Sequence, residues 1–175
     1  GSLREKIALH SSHIKRIVCR ITVKETIVSK IWCISAPLYS HTDWGGFLKT
    51  AYALQKRGHQ VAWVSGAAIA GAVGALPFLT LNETGWLWPP PPLPDISTIA
   101  PQEAVMVRYR RALDTWLDAD KVAAGVRGLL HLAEQHGAPD LIVTDPFLSA
   151  SAIAAEVLGV PMVVCGWPAL RDLDE

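Results

Sequence analysis

Two polar side chains, His41 and Asp145, each follow a short apolar segment and precede a predicted helix. The apolar segments, residues 31–34 and 141–144, have the composition of buried strands. Open sheets of parallel strands bind ligands at the carboxyl ends of the strands, so both side chains are expected at that edge. A histidine oriented by a carboxylate can act as a general base, because the carboxylate fixes the tautomer and stabilises the imidazolium. His41 and Asp145 are therefore the predicted catalytic pair.

Each of these residues also has a purely structural interpretation. His41 could cap the helix that follows it, and Asp145 could be the N-cap of its own helix with Pro146 in the first turn. A capping aspartate can still present one oxygen to His41, so the two interpretations of Asp145 are compatible. Asp43, two residues after His41, is the alternative orienting carboxylate.

Length and composition favour one globular domain and do not indicate a nucleic-acid partner, a metal site or a transmembrane segment. The 175 residues suffice for one full core, and 50% of them are hydrophobic. Lys+Arg and Asp+Glu both number 16, and this balance does not indicate a nucleic-acid partner. No metal-type cysteine spacing and no apolar run of about 18 residues is found, which argues against a metal site and a transmembrane segment. Cys33 and Cys165 lie in apolar strand segments, where reduced buried thiols are expected, so a cytoplasmic location is predicted.

The amino-terminal segment differs from the rest of the chain. Residues 1–29 begin with Gly1-Ser2, which looks like a tag remnant, and continue as a basic extension with a weak strand pattern between Ile14 and Val28. We expect a poorly specified extension over 1–29 and one regular domain over 30–175.

From residue 30 onward, apolar segments of strand length alternate with amphipathic ones. Strands are predicted over residues 31–35, 61–64, 78–81, 141–144 and 162–165, and helices over 47–57, 67–73, 101–116, 120–136 and 148–158. Within these, Phe47, Ala51 and Leu54 share one helix face, and Asp120 is the predicted cap of its helix. This alternation predicts an α/β fold with a doubly wound, mainly parallel sheet covered on both faces. No G-x-G-x-x-G motif follows the first strand, so a dinucleotide fingerprint is absent.

An aromatic, proline-rich segment interrupts this pattern. Trp86 and Trp88 precede four consecutive prolines, Pro89 to Pro92, which form a stiff extended segment that cannot join a sheet interior. These tryptophans, together with Trp44, could line an apolar ligand site or pack beneath another part of the protein. We expect a role in ligand binding.

Two motifs give the sequence a family resemblance. Residues 31–61, with Pro37, His41 and the run Arg57-Gly58-His59-Gln60-Val61, resemble the amino-terminal half of GT-B glycosyltransferases, especially family 1, which contains UDP-glycosyltransferase-like enzymes. Residues 139–147 and 154–161 are similar to the "PDLVV-x-D" strand and the "LG-[IV]-P" segment of that family. The resemblance covers residues 30 to about 168.

The resemblance implies a Rossmann-like acceptor-binding domain of an inverting glycosyltransferase. It implies that His41 deprotonates an acceptor hydroxyl and that Asp145 pairs with His41. It also implies a nucleotide-sugar co-substrate, a UDP- or dTDP-sugar, held mainly by a carboxyl-terminal domain that this chain lacks. We therefore expect a small-molecule or lipid-like acceptor that binds at Trp44, Trp86 and Trp88. We also expect no cofactor or metal bound by this domain, and no sugar transfer by this chain alone.

Two alternatives stay open at this stage. The chain could be a stand-alone acceptor- or partner-binding subunit, as in split N-acetylglucosaminyltransferases. The sequence Gly45-Gly46 at a helix start is also similar to retaining family 4 transferases, in which such glycines contact the donor phosphates.

Overall fold

The computed structural model describes residues 27–87 and 90–165. For Trp44, which lies within the first range, it describes the backbone but not the side chain. The predicted tag remnant, the weak strand before residue 27 and Trp88 lie outside the described residues.

The described chain alternates strands and helices, as the sequence predicts. In chain order its elements are β1 (Lys30–Ile34), α1 (Tyr39–Thr42), α2 (Phe47–Lys56), β2 (Gln60–Ser65), β3 (Phe78–Thr80), α3 (Pro101–Trp116), α4 (Ala119–His136), β4 (Leu141–Thr144), α5 (Ser149–Leu158) and β5 (Met162–Val164). Short 3₁₀ segments at Trp44–Gly46 and Ala67–Ala72 complete the set.

The five strands form one sheet in the order β3-β2-β1-β4-β5, and every pair is parallel. The chain runs outward from β1 to β3 and then returns to the other side of β1 with β4. The strand order therefore reverses between β1 and β4, which is the place where doubly wound sheets open a ligand crevice. The predicted α/β, doubly wound fold is confirmed.

Both faces of the sheet are covered by apolar clusters, because alternate side chains of each strand point to opposite faces. One face packs against α2 and the segment Ala67–Ala72, and its buried residues include Ile31, Cys33, Trp63, Phe47, Ala51 and Ile69. The other face packs against α4 and α5, and its buried residues include Trp32, Ile34, Ile142, Leu129, Ala133 and Ala154.

Three local expectations are wrong. The cap of α4 is Asp118, whose carboxylate accepts from the Lys121 N–H at 2.9 Å, so Asp120 lies inside the first turn. Residues 67–72 form a 3₁₀ helix, in which the Ile69 N–H donates to the Gly66 carbonyl three residues earlier.

The third expectation concerns β5. The apolar residues 162–165 predict a strand that is covered on both faces of the sheet. Val163 and Val164 are 51% and 54% exposed, and Cys165 lies just past the strand and is only partly buried. The reason is that β5 is the outermost strand of the described sheet, so apolar composition alone does not report burial there.

Among the described residues, no helix combines the length and the apolar character needed to cross a membrane.

Candidate active site

The ends of β1 and β4 lie side by side. Ile34 is paired with Thr144, and the Asp145 N–H donates to the Ile34 carbonyl at 3.0 Å. The loops that follow the two strands therefore leave the sheet at adjacent positions. This register brings together residues that are more than a hundred positions apart in the sequence.

His41 and Asp145 form a buried hydrogen-bonded pair at this point. His41 lies in the single-turn helix α1, and its Nδ1 is hydrogen-bonded to Asp145 Oδ2. The two residues are only 4% and 2% exposed. With Nδ1 donating its proton to the carboxylate, the imidazole lone pair is on Nε2, the nitrogen that would accept a proton from a substrate.

Backbone N–H groups from both loops fix the carboxylate of Asp145. Oδ2 also accepts from the Ala36 N–H at 3.2 Å, and Oδ1 accepts from the Phe147 N–H at 2.8 Å. Helix α5 begins only at Ser149, and no side chain caps it. The interpretation of Asp145 as the N-cap with Pro146 in the first turn is thus wrong. The carboxylate instead connects the β1 loop, the β4 loop and the imidazole.

Asp43, the alternative carboxylate, occupies a different position. Its residue is exposed at the end of α1, and its backbone carbonyl accepts from the Gly46 N–H. Asp145 is thus the carboxylate that the fold brings to His41.

Aromatic rings enclose the imidazole. The Trp86 ring meets the His41 ring edge-on, with centroids 5.3 Å apart and planes at 83°, and the Phe147 centroid lies 5.9 Å from it. Trp116, at the end of α3, packs on Phe147 at 4.2 Å and on Trp86 at 6.0 Å. A low-dielectric, water-poor environment of this kind strengthens the electrostatic interactions within it.

Of the three predicted acceptor residues, only Trp86 has a side chain among the described residues. Trp86 lies against His41, Trp88 is outside the described residues, and of Trp44 only the backbone is described, in a 3₁₀ turn. Sequence reasoning missed Trp116, because no local pattern relates the end of α3 to the loop after β4.

Gly45 and Gly46 precede α2 with left-handed backbone angles, φ +56° and φ +76°. Only glycine adopts such angles without strain, so the turn itself accounts for the two residues. The turn also places the amino terminus of α2 at the same sheet edge as His41, since α2 follows the β1 loop.

A small polar cavity of about 170 Å³ opens at this edge, beyond the ends of β1, β2 and β3. Trp86 forms part of its wall, and Glu83 and Lys121 also line it. The Lys121 ammonium lies 2.7 Å from the Glu83 carboxylate, and this hydrogen bond and charge raise the pKa of Lys121. Within the ranges 27–87 and 90–165, no group of three or more potential metal ligands is found.

Comparison with known proteins identifies solved structures that have a similar fold. No protein-family model matches the chain, and no curated protein matches it. Solved structures do match. The spinosyn rhamnosyltransferase SpnG aligns with a TM-score of 0.58 at 17% identity, covering 77% of this chain and 34% of that one. The Streptomyces sp. SF2575 glycosyltransferase SsfS6 aligns with a TM-score of 0.55 at 19% identity, covering 78% of this chain and 38% of that one.

SnogD, a glycosyltransferase from Streptomyces nogalater, aligns with a TM-score of 0.52 at 21% identity, covering 78% of this chain and 33% of its own. The chain thus spans about a third of the length of these relatives. It has the fold found in one part of these glycosyltransferases. The resemblance predicted from the sequence motifs is confirmed at the level of fold.

Proposed function

We propose that this chain is the acceptor-binding domain of an inverting glycosyltransferase, in which His41 is the general base. The observation that carries the proposal is the buried hydrogen bond between His41 Nδ1 and Asp145 Oδ2 at the point where the strand order reverses. The fold likeness to glycosyltransferases supports the reaction class.

The proposed reaction is a single displacement. The proton of an acceptor hydroxyl moves to Nε2 of His41 while the hydroxyl oxygen forms a bond to the anomeric carbon of the donor sugar. The bond from that carbon to the phosphate oxygen breaks, and the nucleoside diphosphate leaves with the electron pair. Asp145 holds the ring in the required tautomer and stabilises the imidazolium that forms.

The donor is proposed to be a nucleotide sugar bound mainly by a second domain or subunit. This chain spans only about a third of the length of the relatives, which supports a missing donor-binding part. Structures of SsfS6 and SpnG are complexes with thymidine diphosphate, which favours a dTDP-sugar over a UDP-sugar. The chain by itself is therefore expected to transfer no sugar.

The acceptor is proposed to be a small molecule with an apolar body. Trp86, Phe147 and Trp116 provide a rigid aromatic surface beside the base, and such rings give large contact area at low entropic cost. This surface also keeps bulk water from the proton transfer.

The test is mutagenesis in the complete transferase, with transfer and donor binding measured separately. His41→Ala should lower single-turnover transfer by about 10²–10⁴-fold, the usual cost of losing a general base, with donor affinity nearly unchanged. His131→Ala is the matched control, because His131 is exposed on α4 and lies 3.5 Å from Glu134. Near-native transfer by His41→Ala would contradict the proposal.

One alternative has a specific observation in its favour. No side chain caps the start of α2 after the left-handed Gly45-Gly46 turn, so its backbone N–H groups could contact donor phosphates in a retaining enzyme. The configuration of the product at the anomeric carbon decides between the two mechanisms, because only the proposed displacement inverts it.

A further inference from the structure

Helix α4 contains a glycine, Gly125, at a position where a glycine weakens a helix. A glycine inside a helix costs about 1 kcal/mol relative to alanine. Gly125 is buried near the middle of the helix, on the side that faces the segment between β3 and α3.

The backbones touch at Gly125. A Cβ atom added to it would lie 2.8 Å from the Gly85 nitrogen and 3.0 Å from the carbonyl carbon of Thr84. It would also lie 2.9 Å from the Cβ of Ala150, in the first turn of α5. Two of these atoms belong to the main chain and the third is the Cβ of a buried alanine, so none can yield by a side-chain rotation. Only glycine permits this approach.

The two segments that contact Gly125 both continue into the candidate active site. Gly85, which has a left-handed φ of +82°, is followed by Trp86, the residue whose ring meets His41. Ala150 lies in the first turn of the helix that follows the Asp145 loop. A displacement at Gly125 would therefore reach both partners of the pair.

Trp86 is not held by hydrogen bonding of its own side chain. Its indole N–H is buried and has no hydrogen-bond partner in the described part of the chain. A buried unpaired donor opposes this placement, so the packing of the residues around Trp86 must supply the compensation.

We propose that Gly125 is a positioning residue for the His41–Asp145 pair. By admitting the backbone of residues 84–85 against α4, it holds the Trp86 ring against the imidazole and fixes the surroundings of the base. The inference rests on the proposed function for its catalytic consequence, whereas the positioning itself can be measured without any transfer.

The same helix offers a matched control. A Cβ added to Gly128 would lie 2.7 Å from Leu81 Cδ1, which is the end of a side chain and not a main-chain atom. Gly125→Ala and Gly128→Ala therefore gain the same helix propensity, but only the first collides with main chain.

The experiment is NMR of this chain, with the ring signals of His41 and Trp86 assigned. Gly125→Ala should shift both sets of signals, in the direction produced on His41 by Trp86→Leu, and Gly128→Ala should leave them in place. Unshifted His41 and Trp86 signals in folded Gly125→Ala would overturn the proposal. If Gly125→Ala does not fold, the wild-type chain decides: nuclear Overhauser contacts between Gly125 and Gly85, and between the rings of Trp86 and His41, are required.

Transfer by the complete enzyme separates this proposal from the general-base proposal. Gly125→Ala should lower kcat on the order of 10²-fold, the effect of a misplacement of about 1 Å, with an unchanged KM for the donor. If His41→Ala retains activity while Gly125→Ala still moves the two rings, the base assignment fails and the positioning of Trp86 is retained. If the rings move and kcat does not change, the catalytic consequence of Gly125 is refuted.

Discussion

The carboxylate of Asp145 should stabilise the fold by an amount that can be counted from its hydrogen bonds. It accepts from two backbone N–H groups, of Ala36 and Phe147, and from the His41 ring. Ala36 is fully buried and Phe147 is partly buried. Asp145→Ala removes all three acceptor contacts and leaves at least two donors without their protein partner.

Each buried donor left unpaired costs about 1–3 kcal/mol, so Asp145→Ala should lower the free energy of unfolding by about 2–6 kcal/mol. That is a large share of the roughly 5–15 kcal/mol of a typical domain. Asp145→Asn should cost about 1–3 kcal/mol, since the amide oxygen can keep the contacts of Oδ2 while the amide nitrogen faces only the Phe147 N–H.

The assay is urea unfolding followed by circular dichroism, combined with amide hydrogen exchange at Ala36. Asp140→Ala is the control, because Asp140 is an exposed carboxylate that accepts one backbone N–H, that of Lys30 at 2.7 Å. The loss in Asp140→Ala should be about 1 kcal/mol or less.

The tautomer of His41, measured by long-range proton–nitrogen correlation, adds an independent readout. The wild-type chain and Asp145→Asn should both carry the proton on Nδ1, whereas Asp145→Ala should lose this preference. Two results would refute the reasoning: an unfolding free energy of Asp145→Ala equal to that of Asp140→Ala, or a rapidly exchanging Ala36 amide in the wild type.

Two further predictions test the local structure. Asp118→Ala should lower the free energy of unfolding by about 1 kcal/mol, the usual contribution of an N-cap, as measured by thermal unfolding. Asp120→Ala should lower it far less. Equal effects of the two substitutions would contradict the assignment of Asp118 as the cap. Burial, with a smaller contribution from Cys165, raises the pKa of Cys33 to about 12, so its thiol stays neutral at lower pH. Iodoacetamide at pH 8 should therefore label Cys165, which is partly exposed, and leave Cys33 unlabelled until the chain is unfolded. Peptide mapping locates the labelled cysteines. A labelled Cys33 in the folded chain would refute its burial.

The alternation of strands and helices can be predicted from the sequence alone, and with it the edge of the sheet at which His41 and Asp145 lie. Strands joined by helical crossovers run parallel in one sheet, so the residues that follow two such strands emerge at the same edge. Glycines that follow helices are a second local signal, because a positive φ favours glycine whatever the tertiary contacts are; Gly58 after α2 and Gly137 after α4 are examples.

The neighbours of these residues, in contrast, depend on how the whole chain is folded. The choice of Asp145 over Asp43 as the partner of His41 depends on the pairing of β1 with β4, which brings His41 and Asp145 together across 104 positions of the sequence. The aromatic ring of Trp116 reaches the site only because α3 ends beside the loop after β4. A local sequence pattern indicates helix periodicity and turn preference, but it does not indicate which distant segments come into contact. The burial of Asp145, the enclosure of the imidazole and the backbone contact at Gly125 therefore appear only when the chain is folded.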